Sequence, residues 1–232
     1  MLEAVGWGVL AQSSLLAAGL FVCWVTVPTK IVGILGGFGA GALIAAISFD
    51  LLPEAEVEIE RWQTGLWMLL GAAIFLIGDS IVERRFGSAG AGGAMGIVVG
   101  SVVDGVPESM ILGIQAGTGV TISLAFVAAV FISNIPQAIA PSADLVASGW
   151  GPGRLGRLWL LVVLACGVAA AIGFLATDLM GGGVQGERAA AIAAGGLLAM
   201  LTNSLMPFSF ERGGALAGVA TVVGFCLSVL ST

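Results

Sequence analysis

The chain has 232 residues, 58% of them hydrophobic and only 9% charged, with a mean hydropathy of +1.09, far too apolar for a soluble domain of that length. Its formal charge of -6 comes without any basic patch, which excludes nucleic acid as a partner. The absence of histidine removes imidazole zinc ligation and the usual physiological proton acceptor, leaving a polytopic membrane protein as the class.

A bilayer-spanning helix needs about 20 mostly apolar residues. Eight stretches qualify, near 4–26, 31–53, 65–83, 94–117, 120–147, 156–178, 188–208 and 213–231. The N-terminal segment lacks the basic region of a secretory signal, so the first stretch is expected to be a retained helix. Helix two ends in Phe49-Asp-Leu-Leu-Pro-Glu-Ala55 and leads into Glu54, Glu56, Glu58 and Glu60, an acidic rim that concentrates cations or simply forms a solvated loop. The Gly-rich break at 86–93 and the turn cluster at 149–153 leave no room for a soluble domain, so 1–232 is read as one membrane domain.

Lys30, Arg84, Arg85, Arg154, Arg157 and Arg212 fall in loops on one side, against Arg61 and Arg188 on the other. The positive-inside rule then places both termini outside, with the plasma membrane as the expected location. Cys23, Cys166 and Cys226 each stand alone in an apolar run, which argues against a disulfide framework or thiolate metal cluster. The 37 glycines suit helices that pack through small faces.

The chemistry concentrates in helices four and five. Asp104 and Glu108 lie one helical turn apart in the middle of an apolar run, where a carboxylate costs roughly 2.5–3.5 kcal/mol even on insertion scales. No interior Lys or Arg is at hand to neutralise them. Helix five carries Ser133, Asn134 and Gln137 on one arc at similar depth. Pro107 and Pro136 deny the carbonyls of Val103 and Ile132 their helical partners, which predicts kinked helices beside midplane polar groups, a common way to build an ion site. Polar residues ahead of proline recur at Asp50 and Pro53 in helix two and at Asn203 and Pro207 in helix seven, the pattern of inverted repeats around a central pair.

These segments resemble the ZIP (Zrt/Irt-like) family of divalent-metal transporters. Residues 36–55 (GGFGAGALIAAISFDLLPEA) are similar to that family's helix two, where the Asp50 position is commonly His. Residues 103–109 (VDGVPES) resemble its helix-four motif, His-Asn-x-Pro-Glu-Gly, and 132–137 (ISNIPQ) resemble its helix-five motif. The similarity covers nearly the whole chain. This member is atypical: Asp104 stands where His is usual, Gly105 where Asn is usual, and Ser133, Asn134 and Gln137 where His, an acid and Glu are usual. Glu108 keeps the family's ligand.

The resemblance implies an all-α bundle of eight transmembrane helices with inverted-repeat pseudo-symmetry. It further implies alternating-access transport of a divalent cation, whether zinc, manganese, iron or another. The expected metal ligands are Asp104, Glu108, Ser133, Asn134 and Gln137. Oxygen donors without imidazole or thiolate suit Mg, Ca or Mn better than Zn or Cu, and two carboxylates neutralise a single divalent ion. Asp50 and Glu54 are the expected entrance, Asp79 and Asp144 the expected exit. The metal is substrate, no organic cofactor is implied, and the expected partners are the cation, the lipid bilayer and a second copy in a homodimer. The rival is a ZIP-like protein that has lost transport and acts as a metal sensor or interaction partner. An enzyme is not expected: serine hydrolysis lacks a base, and Asp79 and Asp104 are predicted at different depths.

Overall fold

The computed structural model describes the chain except residues 57–58, 83, 85–93, 120–121, 181–183 and 231–232, and except the side chains of residues 54, 82, 94–104, 178–180 and 184–186. The described residues are helical or in short connections, with no strand among them. The helices are α1 (Leu2–Phe21), α2 (Thr29–Ala46), α3 (Leu52–Ala55), α4 (Arg61–Val82), α5 (Ala94–Thr118), α6 (Leu124–Ala147), α7 (Pro152–Met180), α8 (Val184–Met200), α9 (Met206–Gly213) and α10 (Ala215–Val229). Within the described residues the apolar stretches follow these helices to within about five residues at their ends, and 31–53 and 188–208 run on from α2 and α8 through the turns that follow them.

Among the described residues six helical spans are long and apolar enough to cross a membrane: Leu2–Phe21, Thr29–Leu51, Arg61–Ile81, Leu124–Ala147, Pro152–Thr177 and Glu187–Gly213. The long helix α5 and the shorter apolar α10 complete the set. Their outward surfaces carry Leu69, Ile77, Leu161, Val168 and Val222, all exposed, as expected where the solvent is hydrocarbon.

Among the described residues, π-helical turns of five residues interrupt the α-helical pattern at two places, both away from Pro107 and Pro136. Pro107, Pro136 and Pro141 all lie inside continuous α-helix. The wide turns are π-helical, at Ile47–Leu51 between α2 and α3 and at Leu201–Leu205 between α8 and α9. In each, an N–H reaches back five residues, from Leu52 to the Ile47 carbonyl and from Met206 to the Leu201 carbonyl, and proline follows immediately at Pro53 and Pro207. A residue inserted ahead of each proline relieves the clash between its ring and the preceding turn, so the helix continues without breaking.

The helices pack as two groups. In one, α7 lies against α1 and α5, and α6 against α1; in the other, α2 lies against α9 and α10, and α4 against α8. Contacts of α2 with α6 and of α5 with α8 join the groups. Gly33, Gly37 and Gly41 form a stripe at helical spacing on α2. A Cβ there would overlap backbone atoms of Gly213, Ala217 and Thr221 respectively, so only glycine admits so close an approach. One core cluster gathers Leu43, Ile47, Leu112, Phe126, Leu197 and Met200 across the junction of the groups. A second surrounds Trp159, whose buried indole N–H donates to the Ser142 hydroxyl at 2.8 Å. Gly214, with φ +56, turns the chain between α9 and α10 in a conformation that side chains avoid.

Candidate functional site

Three helices bring polar side chains together in the middle of the first group. Glu108 on α5 is 1% exposed, Asn134 on α6 2%, and Gln12 on α1 0%. Each stands near the centre of its helix, where the surrounding residues are apolar. The Gln12 amide donates from Nε2 to Glu108 Oε2 at 2.9 Å, and its Oε1 accepts from Asn134 Nδ2 at 2.9 Å. The direction of this chain follows from its acidic end. A carboxylate only accepts, so Gln12 turns its NH2 toward Glu108 and its oxygen toward Asn134, which in turn leads with its own NH2.

Space for Gln12 exists because α5 carries glycine at 105. A Cβ there would stand 2.7 Å from Cys166 Sγ and 3.3 Å from Gln12 Oε1. Gly105 therefore lets both α1 and α7 close on α5 at the level of the acid. The amide of Gln12 occupies the space beside position 105, so α1 places an amide next to the point where α5 itself has no side chain.

Of the predicted ligands, Glu108 and Asn134 are thus joined through Gln12. Ser133 is fully buried and Gln137 half-buried on the same stretch of α6, and both direct their hydrogen bonds within that helix: Ser133 Oγ donates to the Val130 carbonyl at 2.9 Å, and Gln137 Nε2 to the Ser133 carbonyl at 3.2 Å. Ser133 faces α2, where Gly39 leaves room for its backbone. Asp104 lies in α5 one turn before Glu108, but its side chain falls outside the described residues. Among the described residues no three His, Cys, Asp or Glu side chains gather as metal ligands.

The expected entrance and exit residues stand at opposite ends of the bundle. Asp50, half-buried in the π-turn that follows α2, accepts from the Ser123 hydroxyl at 2.8 Å. Ser123 is also the N-cap of α6, its Oγ accepting from Phe126 N–H at 3.1 Å. Ser123→Ala removes both bonds, at a cost of about 1 kcal/mol for the cap. Faster hydrogen exchange in the first turn of α6 is the expected sign. The Glu54 side chain is outside the described residues. In the rim beyond it Glu56 pairs with Arg61 at 3.3 Å and Glu60 accepts from the Trp62 indole, so part of its charge is already engaged; Glu58 lies outside the described residues.

At the other end Asp79 on α4 accepts from Asn203 Nδ2 at 2.8 Å, which joins α4 to the π-turn after α8. Asp144 is exposed in the last turn of α6.

Gln12 is the member that the motif pattern did not single out. Its signal in the sequence is a long polar amide at the middle of an otherwise apolar helix. Gln115, buried on α5 two turns beyond Glu108, carries the same signal. Gln12→Leu keeps the volume but strips the buried Asn134 amide of its acceptor and Glu108 of one donor. A loss of about 1–2 kcal/mol is expected, measured as thermal unfolding in detergent. In a cycle with Asn134→Leu the double variant should lose less than the sum of the singles; strict additivity would mean that the two amides do not act together.

The helices define an integral membrane protein, and the site is a buried acid bonded to the Gln12 amide of one neighbouring helix, which in turn accepts from the Asn134 amide of another. No protein-family model matches the chain, and no curated protein sequence matches it.

Proposed function

We propose that the protein transports a divalent metal cation across the membrane, through a midmembrane site between α5 and α6, by alternating access as the resemblance to the ZIP family implies. The observation that carries this reading is Glu108: a carboxylate at the centre of an apolar bundle, held in place by Gln12 and through it tied to Asn134. Intramembrane acids are costly and are retained where ions or protons pass.

Further features support it. The amide of Gln12 beside Gly105 supplies, from α1, the kind of group that the family motif carries on helix four. The two π-turns, each closed by a proline, occupy corresponding places in helices two and seven and support an inverted repeat, with α5 and α6 as its central pair. Asp50 and Asp79 lie toward opposite ends of the bundle, as entrance and exit residues must. With Asp104 one turn from Glu108, α5 carries two carboxylates for one divalent ion, and α6 carries the neutral oxygens, of which Asn134 is already joined to Glu108 through Gln12 while Ser133 and Gln137 would have to turn from their bonds within α6. Such donors favour a hard ion of the magnesium or manganese kind, with zinc retained through the resemblance. In this reading the protein sits in the plasma membrane with both termini outside, and a second copy forms a homodimer.

One observation favours a second reading, a ZIP-like protein that binds metal without moving it, as sensor or interaction partner. Asn134 is engaged with Gln12, and Ser133 and Gln137 bond within α6, so the helix-six groups already satisfy protein partners. Both readings meet one experiment: elemental analysis of the purified protein beside uptake by proteoliposomes across Mg, Mn, Fe(II), Co and Zn. Uptake above that of empty liposomes for at least one ion supports transport. Stoichiometric metal without flux supports the second reading, and neither metal nor flux refutes both.

A further inference from the structure

On the side of α5 away from α1, a cavity of about 520 Å³ opens between α4, α5 and α8. Its walls are apolar, from Trp67 and Phe75 on α4, Met110 and Ile114 on α5 and Ile192 on α8, and its inner end is closed by Pro107, next in sequence to Glu108. Ile74, which also lines it, is 56% exposed, so the cavity opens sideways toward the bilayer.

Arg188 is the one charged residue among the described residues that line it. Its guanidinium stands 5.6 Å from the centre of the Trp67 ring, and its Nε is buried without a hydrogen-bond partner among the described residues. No acidic side chain pairs with it among those residues. A half-buried guanidinium with that donor unused is suited to an anionic oxygen such as that of a phosphate.

The dimensions and polarity of the cavity fit an amphiphile. Trp67 and Arg188 lie near the starts of α4 and α8, and arginine and tryptophan at the ends of spanning helices are the residues that meet lipid headgroups. From Trp67 to Gly78 the cavity follows α4 for about 16 Å at 1.5 Å per residue. That is close to one leaflet, about 15 Å of a hydrocarbon core near 30 Å thick. A cation at the interface with an apolar slot one leaflet deep below it is complementary to a single amphiphile.

We propose that this cavity binds one anionic glycerophospholipid from the leaflet on the N-terminal side, with its phosphate on Arg188 and one acyl chain running between α4, α5 and α8 toward Pro107. The proposal does not depend on ion transport. Because the chain ends against α5 at the turn that carries Glu108, bound lipid fills the seam between the two helix groups behind the acidic site.

The test is native mass spectrometry of delipidated full-length protein titrated with phosphatidylglycerol or with phosphatidylcholine of the same chains. The wild type should retain a single phosphatidylglycerol at about fivefold lower concentration than phosphatidylcholine, the order expected for one charged contact at an interface. Arg188→Gln should abolish that preference, and Arg188→Lys should keep part of it. Gly78→Leu places a side chain in the deep end, where no atom stands within 4 Å of the new Cβ, and should weaken both lipids alike. Glycerol phosphate should not displace the lipid. Equal retention of the two lipids by the wild type, an unchanged preference in folded Arg188→Gln, normal retention in Gly78→Leu, or displacement by glycerol phosphate alone would each overturn the proposal. Circular dichroism confirms the fold of every variant, and if Arg188→Gln fails to fold, the Lys and Gly78→Leu variants decide.

Discussion

Glu108→Gln is expected to bring metal uptake down to the level of empty liposomes while leaving the protein folded. The substitution is nearly isosteric, and the new amide keeps an oxygen that accepts from Gln12, so the chain through Gln12 to Asn134 survives. What disappears is the negative charge that, in the proposed function, Glu108 offers a divalent ion. Disturbing a group that merely supports a metal ligand typically costs 10–100-fold in affinity, so removing a ligand's charge should cost about 100-fold or more. Elemental analysis of the variant should find no stoichiometric metal, and its thermal unfolding should match the wild type. Normal uptake by a folded Glu108→Gln protein would remove Glu108 from the site.

The second large effect concerns the fold. Gly41→Val is expected to prevent α2 from seating on α10, because its Cβ would overlap the carbonyl of Thr221, a backbone atom that no rotamer change can move aside. Overpacking typically costs 1–3 kcal/mol where side chains can adjust, and backbone contact leaves less room for adjustment. A loss of about 3 kcal/mol, corresponding to a midpoint lower by about 6–12 °C, is expected in detergent, with poor yield of folded protein. Gly65→Ala on α4 is the control. Nothing stands within 4 Å of a Cβ there, so its midpoint should be unchanged or slightly raised by the better helix propensity of alanine. Equal behaviour of the two variants would mean that the close α2 and α10 contact carries no stability.

The reading of Glu108 rests on sequence and structure in different proportions. That an acid sits mid-span was legible from hydropathy, because the cost of a carboxylate in a bilayer depends only on its depth along the helix. Its neighbours were not. Ser133 and Asn134 are adjacent in sequence, yet Ser133 turns to the Gly39 side of α6 while Asn134 turns to Gln12, and helical periodicity alone groups them on one arc. Which prolines follow a π-turn was not legible either. Pro107 and Pro136 stand inside α-helix, whereas the π-turns precede Pro53 and Pro207, since the surroundings of each proline decide how the unpaired carbonyl is accommodated.

The sequence by itself determined the membrane class, the helical stretches and the residues in them that are too polar for lipid. Each of these follows from local composition over about 20 residues, the length that the bilayer selects. Only the tertiary structure decided which polar groups meet. Gln12 reaches Glu108 across 96 positions and Asn134 reaches Gln12 across 122, while Asn203 reaches Asp79 across 124. Those pairings depend on which helices lie side by side, and that order is set by where glycine permits close approach, at Gly105 for α1 and α7, at Gly33 for the end of α9, and at Gly37 and Gly41 for α10. The cavity beneath Arg188 has the same origin: it is the space left where α4, α5 and α8 meet, and no single helix encodes it.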